Sequence, residues 1–303
     1  MRVVSLVPSA TELLCAMDGL DLLVGRSHEC DWPPSVLDRP ALTKRRTMET
    51  SPRDIDEQVR STMEAQGSLH QLDADLLKSL EPDLILLQDT CGVCSIDQPA
   101  VQQAIDGLKK TPQTLILHPS TFEDVLDDLL RIGEAVDRGD HARQKMVELR
   151  AKWWDTQDVV NPYVDGPQTA VLEWSDPLWA AGHWTPQLIE RAGGRQNLVA
   201  TGEPSRIITP EDLLAMQVER LIIAPCGVPI DDAQPHVDAL TSTAWWPMLP
   251  AVMDGEVVLL DGNATFSRPG PRLVQTLQWL TGWLQSRPEL APPEVRWKEV
   301  PSR

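Results

Sequence analysis

Short runs of aliphatic and β-branched residues recur along the chain, and helix signals separate them. The first half contains RVVSLV (2–7), LLVG (22–25), LILL (84–87) and LIL (115–117), and the second half contains TAVL (169–172), LIIA (221–224) and VVLL (257–260). Strands that alternate with helices are typical of parallel, wound sheets. The sequence therefore predicts an α/β fold with two Rossmann-like lobes, each built on a mostly parallel sheet.

Helix starts are marked by capping residues. Ser9 and Glu12 have the spacing of a capping box, and so do Ser120 and Glu123. The apolar residues after Ser120 repeat with a helical period to about residue 136, which predicts one long helix that joins the lobes. The predicted domains are an N-terminal lobe (1–119), the joining helix (120–138), a C-terminal lobe (139–285) and a proline-rich, irregular tail (286–303).

The composition indicates which kinds of molecule this chain can bind. The 303 residues suffice for two lobes with real cores. A net charge of −18 argues against nucleic acid, whose binding is dominated by contacts to phosphates. No run approaches the ~18 apolar residues of a membrane helix, so membrane insertion is not expected. The start MRVVSLVPSATELL lacks the pattern of a secretory signal, and we expect a cytoplasmic protein, or a periplasmic one only if an upstream signal is missing from this sequence.

The unusual residues concentrate in loops that follow predicted strands, the edge where wound sheets bind ligands. Trp32, Trp174, Trp179 and Trp184 could form flat apolar walls for a large planar ligand, or pack beneath the loops. The acidic residues of these loops would contact a ligand or cap the helices that follow: Glu29, Asp31 and Glu173. We therefore expect a ligand cleft between the lobes.

Four of the five cysteines lie in the same loops. Cys91 and Cys94 form a C-x-x-C motif, and Cys30 and Cys226 each follow a strand. An odd number of cysteines in a reducing compartment does not indicate a disulfide framework. The thiols could together bind Zn, Cu or Fe, Cys91 and Cys94 could form a redox pair, or they could be small buried residues. Cys15 is interpreted as a core residue.

Histidine offers a further metal donor. His28 and His183 lie in the strand-end loops and could be axial ligands to cobalt or iron. The other four histidines are interpreted as surface or structural residues. No nucleophile elbow and no P-loop occur in the sequence, so the chain is not expected to be an enzyme.

These segments, in this order, resemble a known family. They are similar to the helical-backbone substrate-binding proteins of ABC importers, in the cobalamin-binding branch. The segments that carry the resemblance are VPSATELL, VGRSHECDWPP, EPDLILLQ, the joining helix, AVLEW, GHW, SRIITPEDLL, LIIAPCG and FSRPGPRL. The resemblance covers roughly residues 2–285. It implies two rigid lobes that hold a ligand between them, and by position it implies these contacts: Ser9, Glu29, Asp31, Trp32, Asp89, Trp174, Trp184, Phe266 and Arg268.

The resemblance and the loop residues together give a functional hypothesis. A monomer binds a small metal-chelate ligand, a corrinoid such as cobalamin, without catalysis; Arg268 would hold an anionic group, and a bound metal ion is a further possibility. The alternatives are direct Zn, Cu or Fe binding by a cysteine cluster and a cytoplasmic thiol redox enzyme. Whether an ABC importer is a partner stays open, because a protein that docks on an importer is also expected to be exported, and this chain is expected to be cytoplasmic. Six further candidate ligand contacts come from the loop residues themselves rather than from the resemblance: Cys30, Cys91, Cys94, Glu173, His183 and Cys226.

Overall fold

The computed structural model describes residues 1–45, 51–66, 69–89, 98–106, 108 and 110–301. The chain divides into two compact units. Unit 1 comprises Met1–Glu49, Glu57–Pro119 and Glu123–Glu148, and unit 2 comprises Thr50–Asp56, Ser120–Phe122 and Leu149–Arg303.

Unit 1 is built on a four-stranded parallel sheet in the order β2-β1-β5-β6, with a two-stranded antiparallel ribbon, β3-β4. The strands are β1 (Val3–Ser5), β2 (Leu23–Arg26), β3 (Thr43–Arg45), β4 (His70–Leu72), β5 (Leu84–Gln88) and β6 (Gln113–Leu117). The helices in this half of the chain are α1 (Pro8–Ala16), α2 (Pro52–Gln66), α3 (Ala74–Ser79), α4 (Gln98–Asp106), α5 (Phe122–Ala135) and α6 (Gly139–Asp155), and 3₁₀ turns span Gly19–Leu22 and Pro34–Asp38.

The core of unit 1 lies around its two central strands. β1 and the aliphatic residues of β5 are buried, as expected for parallel strands covered on both faces by helices. One face packs Val4, Ile85 and Leu87 against Leu77 of α3 and Val101 of α4. This packing fixes the carboxyl ends of β1 and β5 side by side, and the loops that follow them form one edge.

Unit 2 contains a six-stranded sheet in the order β12-β11-β10-β7-β8-β9, in which β7, β10 and β11 are parallel and the outer strands are antiparallel. Its strands are β7 (Thr169–Ser175), β8 (Leu178–Ala180), β9 (Arg206–Ile207), β10 (Arg220–Ile223), β11 (Val257–Leu260) and β12 (Trp297–Glu299). Its helices are α7 (Thr185–Arg191), α8 (Pro210–Met216), α9 (Gln234–Thr241), α10 (Pro250–Met253) and α11 (Leu273–Leu284), with 3₁₀ turns at Thr156–Val159, Trp246–Met248 and Pro288–Leu290.

The predicted α/β fold class is confirmed, and all seven predicted strands are present. The sheet of unit 1 is parallel, whereas the sheet of unit 2 is mixed, with parallel central strands β7, β10 and β11. The tail differs from the expectation: β12 pairs antiparallel with β11, so part of 286–303 belongs to the sheet. The domain boundaries at 119, 138 and 285 stay predictions. Within the ranges that the structure describes, no helix is both long and apolar enough to span a membrane.

Candidate functional site

Three strands of unit 1 bring predicted site residues to one edge. Ser9, the second residue of α1, is buried, and its Oγ donates to Oε1 of Gln88, the last residue of β5, at 2.6 Å. Asp89 follows and is more than half exposed, with its Oδ2 at 3.8 Å from Nδ1 of His118 after β6. This edge therefore presents a carboxylate and an imidazole to solvent, while the Ser9 hydroxyl links α1 to β5.

The turn after β2 is organised by one hydroxyl. Oγ1 of Thr43, at the start of β3, lies 2.7 Å from Nδ1 of His28, 2.9 Å from the His28 backbone nitrogen and 3.0 Å from Oγ of Ser27. The Ser27 hydroxyl in turn accepts a hydrogen bond from the backbone N–H of Glu29 at 3.3 Å. Burial is the main cause that lowers the pKa of His28, so its imidazole is neutral at pH 7.

His70 joins His28 and Glu29 across the ribbon. Nε2 of His28 lies 4.0 Å from Oε1 of Glu29, and Nε2 of His70 lies 4.0 Å from Oε2 of the same carboxylate. One donor atom from each of the three residues lies within 4.8 Å of the others. In the part of the chain that the structure describes, this is the one such grouping of His, Cys, Asp and Glu.

No local sequence pattern marks His70 as a site residue. It lies far along the chain from Glu29, and the sequence alone indicates a surface or structural histidine. The ribbon register pairs His70 with Arg45, and an isolated bridge between Arg26 and Ala41 sets the ribbon beside β2. Only this tertiary pairing brings the two histidines to a ring-centroid distance of 5.4 Å.

The remaining residues of this turn divide into a buried thiol and exposed groups. Cys30 is fully buried, its Sγ accepts from Thr11 Oγ1 at 3.0 Å, and it lies 4.0 Å from the carbonyl of Ser5. Asp31 is partly exposed, and Trp32, which precedes a cis peptide bond, is 40% exposed. The Trp32 indole is therefore accessible, whereas the Cys30 thiol is enclosed within unit 1.

Adjacent strands of unit 2 bring Glu173, Trp174 and Cys226 to one edge. The Cys226 backbone N–H donates to the carbonyl of Glu173 at 3.0 Å, because β7 and β10 are neighbours. The Trp174 indole donates from Nε1 to the carbonyl of Pro52 at 3.0 Å, and its ring meets the His236 ring edge-on at 4.5 Å. All three are partly exposed, as is Trp179 in β8.

Three other predicted contacts of unit 2 are packed inside it. Trp184 donates from Nε1 to the carbonyl of Phe266 at 2.7 Å, and both side chains are buried. Arg268 is also buried and donates from Nη2 to Oδ1 of Asn263 at 2.7 Å. The Trp184 bond ties the loop before α7 to the loop after β11, and the Arg268 bond holds the second loop together internally.

His183 lies in a backbone conformation that few residues adopt. Its φ is +53°, its N–H donates to the carbonyl of Glu203, and its carbonyl accepts from Gly202. A Cβ on Gly182 would lie 2.5 Å from the Glu203 oxygen, so this pairing requires glycine there. Burial lowers the pKa of His183, and its Nδ1 has no hydrogen-bond partner among the described residues.

The four cysteines of the predicted cluster are distributed over both units, and two of them lie outside the described residues. Cys30 belongs to unit 1 and Cys226 to unit 2. Cys91 and Cys94 lie outside the described residues. The four-thiolate site and the ligand contacts inferred from the sequence therefore stay predictions.

Comparison with known proteins identifies the class of this chain. The family model described as periplasmic binding protein matches residues 3–264. The vitamin B12-binding protein of Photorhabdus laumondii is 25% identical over 283 residues, which cover 92% of this chain and 86% of that protein. The predicted resemblance to ABC-importer substrate-binding proteins is confirmed.

Solved structures show the same fold. A periplasmic haem-binding protein from Pseudomonas aeruginosa has a TM-score of 0.72 at 20% identity, covering 98% of this chain and 95% of that one. The periplasmic vitamin B12-binding protein of Vibrio cholerae has a TM-score of 0.62 at 17% identity, covering 94% and 97%. An Fe³⁺-hydroxamate transport protein from Saccharomonospora viridis has a TM-score of 0.67 at 18% identity, covering 93% and 92%.

These matches settle two expectations. The prediction of a cytoplasmic protein is wrong, because the matched family and the haem and vitamin B12 neighbours are periplasmic, which points to a periplasmic or extracytoplasmic location. The prediction that the chain is not an enzyme is confirmed, because the family consists of small-molecule binding proteins of the ABC-importer type. The chain belongs to the periplasmic binding protein family.

Proposed function

We propose that this protein binds a corrinoid, a cobalamin-like cobalt chelate, for uptake by an ABC importer. The observation that carries the proposal is the similarity to a vitamin B12-binding protein, which extends over 92% of the chain. Family membership supports small-ligand binding and does not favour the two rival hypotheses, a cysteine metal cluster and a thiol redox enzyme.

The accessible indoles at the strand ends support a large planar ligand. Trp32 in unit 1 and Trp174 and Trp179 in unit 2 are each partly exposed at or beside loops that follow strands. A corrin ring offers a wide, mostly apolar face, and indoles supply flat contact area with little loss of conformational freedom. Asp89, Glu173 and His183 would contact the polar substituents around such a ring.

The predicted ligand contacts that are buried have a different role in this proposal. Trp184, Phe266 and Arg268 are buried and bonded within unit 2. They would position the loops that carry the accessible residues. Loss of the Trp184 indole donor would then disturb loop geometry and reduce affinity indirectly.

The direct test is an absorbance titration of the purified protein with cyanocobalamin, with haemin and a ferric hydroxamate as competing ligand classes. We expect saturation at one equivalent for cobalamin and weaker binding for the other two. Tight, saturable binding of haemin or of the hydroxamate, without cobalamin binding, would mean that the ligand belongs to that class and is not a corrinoid. Absence of binding by all three would refute the proposal.

A matched pair of tryptophan variants tests the indole contact. Trp32→Ala removes an exposed indole at the carboxyl edge of unit 1, and Trp154→Ala removes one that is 55% exposed on α6. We expect at least a tenfold loss of cobalamin affinity in Trp32→Ala only, because aromatic anchors dominate binding energy. Equal cobalamin affinities in the two variants would show that Trp32 does not contact the ligand.

A further inference from the structure

The cluster of His28, Glu29 and His70 has the donor set of a transition-metal site. Two imidazole nitrogens and one carboxylate oxygen converge within 4.8 Å at the end of β2 and the start of β4. Zinc sites with three protein ligands commonly use this combination and leave a fourth position for water or a ligand. The three residues lie in unit 1, so this site is built from one compact unit.

The hydrogen bonds around His28 direct Nε2 toward the cluster. With the ring protonated on Nδ1, Thr43 Oγ1 accepts from that N–H and from the His28 backbone N–H, and its own proton goes to Ser27 Oγ. Ser27 then also accepts from the Glu29 backbone, so each of these polar groups has a partner. A second hydrogen bond of this kind fixes the tautomer and the orientation of a metal-binding histidine.

The separations suit a cation better than a direct ion pair. Each imidazole Nε2 lies 4.0 Å from a Glu29 oxygen, beyond the length of a hydrogen bond. Zinc holds nitrogen and oxygen ligands at about 2.0–2.1 Å, which places tetrahedral donors about 3.3 Å apart. The three donor atoms lie within 4.8 Å of one another, so metal binding would shorten their separations by at most about 1.5 Å. Glu29 is 33% exposed, so its carboxylate has room to move toward the histidines.

We propose that His28, Glu29 and His70 bind one divalent first-row transition cation, with Zn²⁺ as the best fit to the donor set, and that a fourth coordination position stays open. His70 is 8% exposed and His28 is partly buried, so the cation would be shielded on one side by unit 1. Binding would link the turn after β2 to the ribbon. The observations that support this site do not depend on the proposed corrinoid binding.

The test uses the full-length protein, stripped with a chelator and titrated with ZnCl₂ by calorimetry. We expect one equivalent of Zn²⁺ to bind, with at least a tenfold loss of affinity in Glu29→Gln and in His70→Gln. His141→Gln, which removes an exposed histidine of α6, serves as the matched control and should bind zinc unchanged. Glu29→Gln is nearly isosteric and partly exposed, so it separates ligand loss from misfolding if His70→Gln does not fold.

Cobalt reports which atoms hold the metal. We expect CoCl₂ to give visible d–d bands without a thiolate charge-transfer band, and Glu29→Gln to weaken these bands. A strong near-ultraviolet sulfur band, or zinc affinity unchanged in both variants, would overturn the site and indicate the cysteines instead.

Thr43 gives a test of positioning. Thr43→Val removes the hydroxyl that orients His28, whereas Thr43→Ser keeps it. Because loss of an outer-sphere partner commonly costs about 10–100-fold in metal affinity, Thr43→Val should bind zinc that much more weakly and Thr43→Ser should restore binding. Equal affinities in these two variants would show that Thr43 does not orient the ligand.

Discussion

His236 is a buried, neutral histidine beneath the Trp174 indole. It is 2% exposed, its Nδ1 lies 2.9 Å from Oγ of Ser175, and burial lowers its pKa to about 4. Between pH 6.5 and about pH 4, the unfolded chain binds a proton at this residue that the folded chain does not. His236 therefore stabilises the fold fully above pH 6.5, and this contribution falls as the pH drops through that window.

The measurement is urea unfolding followed by tryptophan fluorescence, since every tryptophan except Trp32 lies in unit 2. His236→Gln keeps a neutral polar group and removes the titration. The stability difference between the wild type and this variant should shrink by about 1.4 kcal/mol per pH unit between pH 6.5 and 4.5. A difference that stays constant over this range would show that His236 does not titrate as inferred.

Asp128 has the opposite pH dependence in unit 1. Its carboxyl is buried, Oδ1 accepts from Arg131 at 2.7 Å, and Oδ2 has no hydrogen-bond partner among the described residues. Burial raises its pKa to about 6, so ionisation destabilises the folded state as the pH rises from 3.8 through 6.

Asp128→Asn mimics the protonated carboxyl and should raise the free energy of unfolding at pH 7.5, by on the order of 1–3 kcal/mol. Thermal unfolding by far-ultraviolet circular dichroism at pH 7.5 and pH 4 measures this effect. The gain should vanish at the lower pH, and a gain of equal size at both values would contradict the assigned protonation.

At the scale of elements, two sequences with capping-box spacing behave differently. Thr209 and Asp212 form the full reciprocal box at the start of α8. Ser9 and Glu12 do not, because α1 begins at Pro8 and the Ser9 hydroxyl donates to Gln88 on β5. The spacing of Ser9 and Glu12 predicts a helix at the right place, but the sequence does not show that the Ser9 hydroxyl has a tertiary acceptor nearby.

The α8 cap is testable by itself. Thr209→Ala leaves the N–H of Asp212 without its side-chain acceptor and should destabilise unit 2 by about 1 kcal/mol. Thr209→Ser keeps the acceptor and should lose much less stability. Fluorescence-monitored urea unfolding gives both values, and equal losses would mean that the methyl group of Thr209, rather than the cap, is responsible.

In the candidate site, too, the local sequence predicts the position of a residue along the chain but not its tertiary surroundings. Strand-end position predicts Glu173, Trp174 and Cys226 as neighbours, and the pairing of β7 with β10 brings them together. Burial does not follow from that rule, so Cys30 and Trp184 lie at strand-end loops yet are enclosed. His70 was missed because its position depends on the antiparallel β3–β4 ribbon, whose short strands carry no distinctive sequence pattern.

At the scale of the whole molecule, the net charge of −18 opposes compaction. Like charges on a folded surface repel one another, and added salt screens that repulsion. Exposed ion pairs such as Arg138–Asp21 and Arg296–Asp231 act in the other direction, since salt weakens them. Such pairs contribute little, about 0–1 kcal/mol each, so the net repulsion should dominate.

We therefore expect the thermal midpoint to rise when NaCl is raised from about 0.01 M to about 0.15 M, which shortens the screening length from roughly 30 Å to 8 Å. For a chain of this size, each kcal/mol gained corresponds to roughly 2–4 °C. Chloride is the appropriate anion, because sulfate would also strengthen apolar burial. A midpoint that falls with salt would mean that the surface ion pairs outweigh the repulsion among the excess carboxylates.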